Sequence, residues 1–207
     1  KATAARPVMP NHQFFNRLAE AFIAEVTRLT PGGTLFRIDL RLRPEGDAGP
    51  LCRSLDSYEN YYAQWGQTWE RMMLMKARGV AGDRQLAADF LETVNPFRHP
   101  RSISEGVLRE VAAMKDRIEK EVVKAGEVER NVTLGRGGIR EIEFIVQSLQ
   151  LLHGGRMPFL QNAQTLPCLE KLAQYKLLSP EEAQLLAEAY CFLRDVAHRL
   201  QMEDNRQ

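Results

Sequence analysis

One stretch concentrates charged chemistry. In Thr34-Leu35-Phe36-Arg37-Ile38-Asp39-Leu40-Arg41-Leu42-Arg43-Pro44, apolar and charged residues alternate without a slip. Read as a strand, whose side chains point to opposite faces with a period of two, Phe36, Ile38, Leu40 and Leu42 share one face. Arg37, Asp39, Arg41 and Arg43 share the other. Neighbours on such a face stand about 7 Å apart, so one carboxylate is flanked by guanidinium groups. Asp39 can hold a divalent metal ion there, and the arginines can hold phosphate oxygens. The same alternation describes a solvated outer face with i,i+2 ion pairs, and spacing leaves both readings open. Pro44 and the run Gly46-Asp47-Ala48-Gly49-Pro50 then end the stretch in a turn.

A second feature is Gly135-Arg136-Gly137-Gly138, which opens the helical run from Ile139 to Leu152. A glycine loop entering a helix offers backbone N–H groups at the positive end of the dipole, which suits an anion. Such loops also serve as plain joints, where glycine allows close packing and special backbone angles. No Gly-Lys-Ser/Thr follows, so this is not a P-loop. Cys52, Cys168 and Cys191 are widely spaced and odd in number, and read as reduced core thiols of a cytosolic protein. His12, His99, His153 and His198 form no zinc-type cluster.

The elements that must position these residues are mostly helices. The spacing predicts a helix from Asn11 to about Thr30, with Phe14, Leu18, Ala21 or Phe22, Glu25 or Val26, and Leu29 on its buried stripe. Pro31-Gly32-Gly33 ends it, and the alternating stretch follows as the one strand candidate, 34–43. A lone strand lacks partners for its backbone. Those partners are expected from sequence preceding Lys1, since both ends of the chain look cut. Ser54 or Asp56 caps a further helical stretch with Tyr58, Tyr62, Trp65, Trp69 and Met72 at helical steps, broken at Gly66. Its polar side carries Glu70, Lys76 and Arg78. A short helix from Arg84 to Val94 leads to Asn95-Pro96-Phe97-Arg98-His99-Pro100-Arg101, the best domain boundary. Beyond it everything reads helical: a stripe of Ile103, Val107, Val111, Met114, Ile118 and Val122, then helices near 139–152 and 164–178. Ser179-Pro180-Glu181-Glu182 starts the last helix, with Leu185, Ala189, Phe192 or Leu193, Val196 and Leu200 inward. The fold class is mainly α, of α+β type. It divides into a part over 1–95 and an α-helical bundle over 101–207.

Bulk properties exclude little beyond this. A formal net charge of +1 gives no reason for electrostatic binding to nucleic acid. No run approaches a membrane span, and no basic-then-apolar leader is present.

Three motifs carry a resemblance that covers most of the chain after Asn11. Leu35-Phe36-Arg37-Ile38-Asp39-Leu40-Arg41-Leu42-Arg43-Pro44-Glu45-Gly46 resembles the third-carboxylate strand of glutamine synthetase adenylyltransferases. Thr68-Trp69-Glu70-Arg71 with Met75-Lys76-Ala77-Arg78 is similar to the helix that follows it there. Leu134-Gly135-Arg136-Gly137-Gly138-Ile139-Arg140-Glu141-Ile142-Glu143-Phe144-Ile145-Val146-Gln147 is similar to that family's most recognisable helical motif. The helical part also resembles PII uridylyltransferases. The resemblance implies the back half of a polymerase-beta-like nucleotidyltransferase domain followed by the bundle. It implies Asp39 as a Mg²⁺ ligand, and Arg41 and Arg43 as catalytic residues that touch phosphate or fix Asp39. Arg37, Glu70, Lys76 and Arg78 become candidates for nucleotide contact. ATP, ADP and phosphate are the implied substrates or products. Glutamine synthetase, the PII signal protein and the other half of a two-half enzyme are the implied partners, in the cytoplasm.

In that family one half attaches AMP to a tyrosine of glutamine synthetase and the other removes it by phosphorolysis. Residues 43–51 and 140–147 resemble the removing half more closely. The adenylylating half, a PII uridylyltransferase relative and a non-catalytic helical interaction module are the alternatives. The family's Asp-x-Asp, which supplies two further metal carboxylates, occurs nowhere in the 207 residues. The chain by itself is therefore expected to be catalytically incomplete.

Overall fold

The computed structural model of the chain describes residues 9–36, 38–117 and 131–204. Arg37, Ile118 and Val122, named above, lie outside them. Among the described residues the protein is mainly α-helical, with no strand. Two compact units meet in sequence at Gly66 and Gln67. The helices between 67 and 95 thus belong to the same unit as those after 101.

The first unit holds α1 (Asn11–Thr27), a 3-10 turn (Gly46–Ala48) and α2 (Leu55–Gln64). Ser54 caps α2 by accepting from Ser57 N at 3.3 Å. The face of α1 turned towards its own unit is Asn16, Ala19, Ile23 and Val26, all half-buried. Asn16 Oδ1 accepts from Cys52 N at 3.1 Å and Val26 O accepts from Phe36 N at 3.4 Å. Of the expected stripe, Val26 is on this face, whereas Phe14, Leu18, Phe22 and Leu29 lie more than half open.

The strand expected over 34–43 is not formed. Pairing near this segment amounts to an isolated bridge between Thr30 and Gly33. A strand exists only through its ladder, and among the described residues no second extended segment offers one. The segment folds on itself instead: Arg43 N donates to Leu40 O at 3.3 Å and Gly46 N to Arg43 O at 2.9 Å. Glu45 takes up the reversal at φ 62°, in the left-handed region.

The second unit comprises α3 (Thr68–Met75), α4 (Arg84–Thr93), α5 (Asn95–Arg98), α6 (Glu105–Arg117), α7 (Ile139–His153), α8 (Thr165–Gln174) and α9 (Pro180–Asp204). Its caps follow the sequence. Asp83 accepts from Gln85 N and Leu86 N at the start of α4. Ser179 and Glu182 cap reciprocally at the start of α9, which holds the Glu182 carboxyl below its ordinary pKa. Two apolar clusters make the core. Met72, Met75, Val111, Phe144 and Leu151 form one, joined by Ile103, Val107 and Met114 as the spacing predicts. Val146, Leu160, Cys168, Leu169 and Leu172 form the other. The helix α7 faces both. Its buried Gln150 donates to Leu160 O at 2.6 Å and Asn162 O at 2.8 Å, tying down the loop before α8.

Candidate functional site

In the first unit, Asp39 and Arg41 form a forked pair. Arg41 Nη2 donates to Asp39 Oδ2 at 2.6 Å and Nε to Oδ1 at 3.0 Å. The backbone N of Arg41 also donates to Oδ1 at 3.0 Å, closing a local turn that sets the carboxylate's direction. The hydrogen bonds that Arg41 donates to Asp39, then the charge of that carboxylate, raise the Arg41 pKa. Arg43 is spent on backbone: Nη1 donates to Leu40 O at 2.7 Å and Nε to Gly49 O at 3.2 Å, with Asp47 at 3.7 Å. Ile38, Asp39, Arg41, Arg43 and Asp47 line a shallow hollow of about 490 Å³. Arg41 thus contacts Asp39, whereas the bonds of Arg43 go to backbone carbonyls.

No group of three His, Cys, Asp or Glu side chains among the described residues is placed to hold a metal ion. Asp39 is a single carboxylate already forked onto a guanidinium. The donor set in hand does not make a Mg²⁺ site by itself.

In the second unit, Lys76 at the end of α3 reaches a polar cluster that sequence spacing left unassembled. Its Nζ donates to Thr165 Oγ1 of α8 at 2.7 Å and lies 3.7 Å from Glu143 Oε1 of α7. The same Glu143 oxygen accepts from Tyr190 OH at 3.1 Å and from Arg194 Nη2 at 3.0 Å, both on α9. Burial lowers the Lys76 pKa, with Glu143 opposing. At Arg194 burial also disfavours the charge, but bonds to Tyr190 and Glu143 outweigh it and its pKa ends raised. Three helices, α3, α7 and α9, thus meet on one half-buried carboxylate flanked by two cations, and α8 joins through Thr165 on Lys76. Thr165, Tyr190 and Arg194 were missed by the sequence reading. The signal was there as a polar pair four residues apart on the inner side of α9.

Glu70 has another place. It is fully buried, and its Oε2 accepts from Gln67 N at 2.8 Å as the far half of a capping box on α3. Its carboxylate is thus turned onto the start of its own helix rather than presented at the surface. Arg78 is exposed beyond the end of α3.

The glycine loop is closed by its own backbone. Gly138 N donates to Gly135 O at 3.0 Å, Ile139 N to Val132 O at 3.0 Å and Arg140 N to Thr133 O at 2.9 Å. Glu141 Oε2 accepts from Gly137 N at 2.8 Å. The donors an anion would need are already used, and an acid sits where it would bind.

Comparison with known proteins matches both units. A family model described as glutamate-ammonia ligase adenylyltransferase covers residues 1–93, and one described as PII-uridylyltransferase covers residues 107–207. Both are nucleotidyltransferase descriptions. The chain is 42% identical, over 96% of its length, to a bifunctional glutamine synthetase adenylyltransferase/adenylyl-removing enzyme of Hahella chejuensis. It is 42% identical over 99% of its length to that of Aromatoleum aromaticum, and 41% identical over 96% to that of Pseudomonas putida. These alignments cover 21%, 22% and 20% of the relatives. The chain is thus of adenylyltransferase kind. It belongs to the family of bifunctional glutamine synthetase adenylyltransferase/adenylyl-removing enzymes, and spans about a fifth of the length of the curated relatives it matches.

Proposed function

We propose that this segment serves the AMP-removing half of such an enzyme, in which AMP on a glutamine synthetase tyrosine is released to phosphate as ADP. The observation that carries the reading is the Asp39–Arg41 fork, set in a stretch that resembles the family's third-carboxylate strand. Residues 1–95 are then the back of a polymerase-beta-like nucleotidyltransferase domain and 101–207 its helical bundle. Asp39 is one carboxylate of a Mg²⁺ set completed outside these residues, where the ion would neutralise charge on the transferred phosphoryl group. Arg41 positions Asp39, and Arg43 stiffens the turn behind it. Lys76 is the cation of the second unit assigned to nucleotide phosphate. Glutamine synthetase as target, the PII protein as regulator, ATP or ADP as nucleotide and a cytoplasmic setting belong to the same proposal. Among the described residues, no helix is long and apolar enough to cross a membrane.

The test is Asp39→Asn in the full-length enzyme, which keeps shape and removes charge. Phosphate-dependent ADP release from adenylylated glutamine synthetase should fall by about a hundredfold or more, with the fold intact by circular dichroism. Near-wild-type release would leave Asp39 as part of a charged outer face.

A further inference from the structure

Lys76 is held near an acid without being consumed by it. Its Nζ gives its short bond, 2.7 Å, to the neutral hydroxyl of Thr165 and stands 3.7 Å from Glu143 Oε1, beyond hydrogen-bond length. Glu143 Oε1 makes its close contacts with α9 instead, to Arg194 Nη2 at 3.0 Å and Tyr190 OH at 3.1 Å. Arg194 also lies over the Tyr190 ring, 5.2 Å from its centroid, and donates to that hydroxyl through Nε and Nη2. The carboxylate is thereby fixed from the α9 side. An ion pair that serves stability alone closes to contact and satisfies its donors. Here, among the described residues, Thr165 takes one of the three ammonium donors, and the Lys76 side chain remains 31% exposed.

The groups around Lys76 leave its charge to one acid. Burial disfavours the ammonium, Glu143 on α7 favours it, Arg194 on α9 disfavours it and Cys168 on α8 favours it. Burial pushes the Cys168 thiol up to about 11, so it carries no charge near neutral pH. Thr165 and Tyr190 add hydroxyls to the same cluster. We propose that Glu143 is a positioning residue of the nucleotidyl reaction: fixed by Tyr190 and Arg194, it holds the Lys76 ammonium in place and charged for a phosphoryl oxygen. Glu143 acts through Lys76, and Tyr190 and Arg194 act through Glu143. The inference rests on Lys76 being the cation that meets nucleotide phosphate, and adds what keeps that cation ready.

Full-length enzyme carrying Glu143→Gln, Tyr190→Phe or Lys76→Met tests it with two readouts. The first is competitive acetylation of Lys76 across pH, read by mass spectrometry. Glutamine keeps the shape but removes the charge. The midpoint of the acetylation curve should therefore move to lower pH, with the rate at pH 8 up about fivefold. Tyr190→Phe removes a hydrogen bond and no charge, and should give a rise of about twofold. The second readout is KM for inorganic phosphate in ADP release from adenylylated glutamine synthetase. Relative to wild type, Glu143→Gln should raise it about tenfold at pH 9 but less than about threefold at pH 7, where Lys76 is still protonated, with kcat nearly unchanged. The ratio to wild type cancels the titration of phosphate itself. A purely structural role would give one ratio at both pH values, and that result would overturn the inference. So would a wild-type acetylation curve in Glu143→Gln or, should that variant not fold, in Tyr190→Phe. Lys76→Met separates this inference from the reading beneath it. An unchanged KM there would show that Lys76 meets no phosphate, and both would fall. A raised KM beside a flat Glu143→Gln ratio would overturn the positioning role alone.

Discussion

Arg194 and Glu143, fifty-one positions apart, meet at 3.0 Å between Nη2 and Oε1. That oxygen also receives Tyr190 OH, and Lys76 stands 3.7 Å from it. Removing the acid leaves two cations facing each other with part of their hydration gone, which costs more than an exposed pair would. Glu143→Gln should destabilise the packing of α9 on α7 by about 1–2 kcal/mol, given the partial exposure of both cations. Faster hydrogen exchange in peptides spanning 190–200 would report it. In a double-mutant cycle, Arg194→Gln should add little once Glu143 is gone. Unchanged exchange in Glu143→Gln would mean that the cluster contributes no stability.

Gly138 should tolerate no side chain. A Cβ there would sit 2.8 Å from Gly135 O, 2.9 Å from Val132 O and 3.2 Å from Thr133 O. These are backbone atoms, and two of them accept the bonds that seat α7. Gly138→Val should cost about 2 kcal/mol or more through displaced carbonyls and lost hydrogen bonds, read as a lower melting temperature. If the loop were an anion site, Arg136→Ala would weaken phosphate binding. The expected result is no change in phosphate affinity, because the loop's donors are already taken.

Periodicity located the helices better than it located their buried sides. The spans near 139–153 and 84–93 and the cap at Ser179 follow from local signals that act within a few residues. On α1 and α9, however, the apolar arc is wide enough to hold two candidate stripes. The larger residues mark Phe14, Leu18 and Phe22 on α1, and Leu185, Phe192 and Leu200 on α9. In this structure those are exposed, while Ala19, Ile23 and Val26 on α1, and Ala183, Leu186 and Ala187 with the expected Ala189, Leu193 and Val196 on α9, are buried or half-buried. Side-chain size tells how much surface needs cover, and the partner element decides which flank gets it. The site divides the same way. The Asp39–Arg41 fork lies two residues apart and was legible as a row of charges. The Lys76–Glu143–Arg194 cluster joins three distant helices, and only the packing of α3, α7 and α9 brings it together.

Arg41 should matter through Asp39. Its side chain is largely exposed, so Arg41→Ala should leave the melting temperature unchanged. In the full-length enzyme the ADP-release rate should fall about tenfold, the scale on which orienting groups act. Arg41→Lys keeps the charge but cannot reproduce the fork, and should rescue little. On an Asp39→Asn background, Arg41→Ala should add almost nothing, since residues acting as one unit are not additive. Fully multiplicative losses would show that Arg41 acts independently of Asp39.

His99 should make the second unit sensitive to acid. It is 5% exposed, its Nδ1 has no partner, and Gly154 packs so close that a Cβ there would lie 2.9 Å from that nitrogen. Burial, helped by the charge of Arg98, pushes its pKa down from 6.5 to about 4. The folded state therefore holds the ring neutral, whereas the unfolded chain begins to protonate it near pH 6.5. Between those values the unfolded state binds more protons, so stability falls as pH drops and is complete only above pH 6.5. The difference in pKa corresponds to a loss of about 3 kcal/mol by pH 4. Urea midpoints of wild type and His99→Gln, compared from pH 7 to pH 4, isolate this contribution from that of the carboxylates. The gap between the two proteins should narrow or reverse as pH falls, because glutamine has no proton to take up. Parallel curves across the whole range would show that His99 gains its proton without cost, and that its burial does not control the acid stability of this unit.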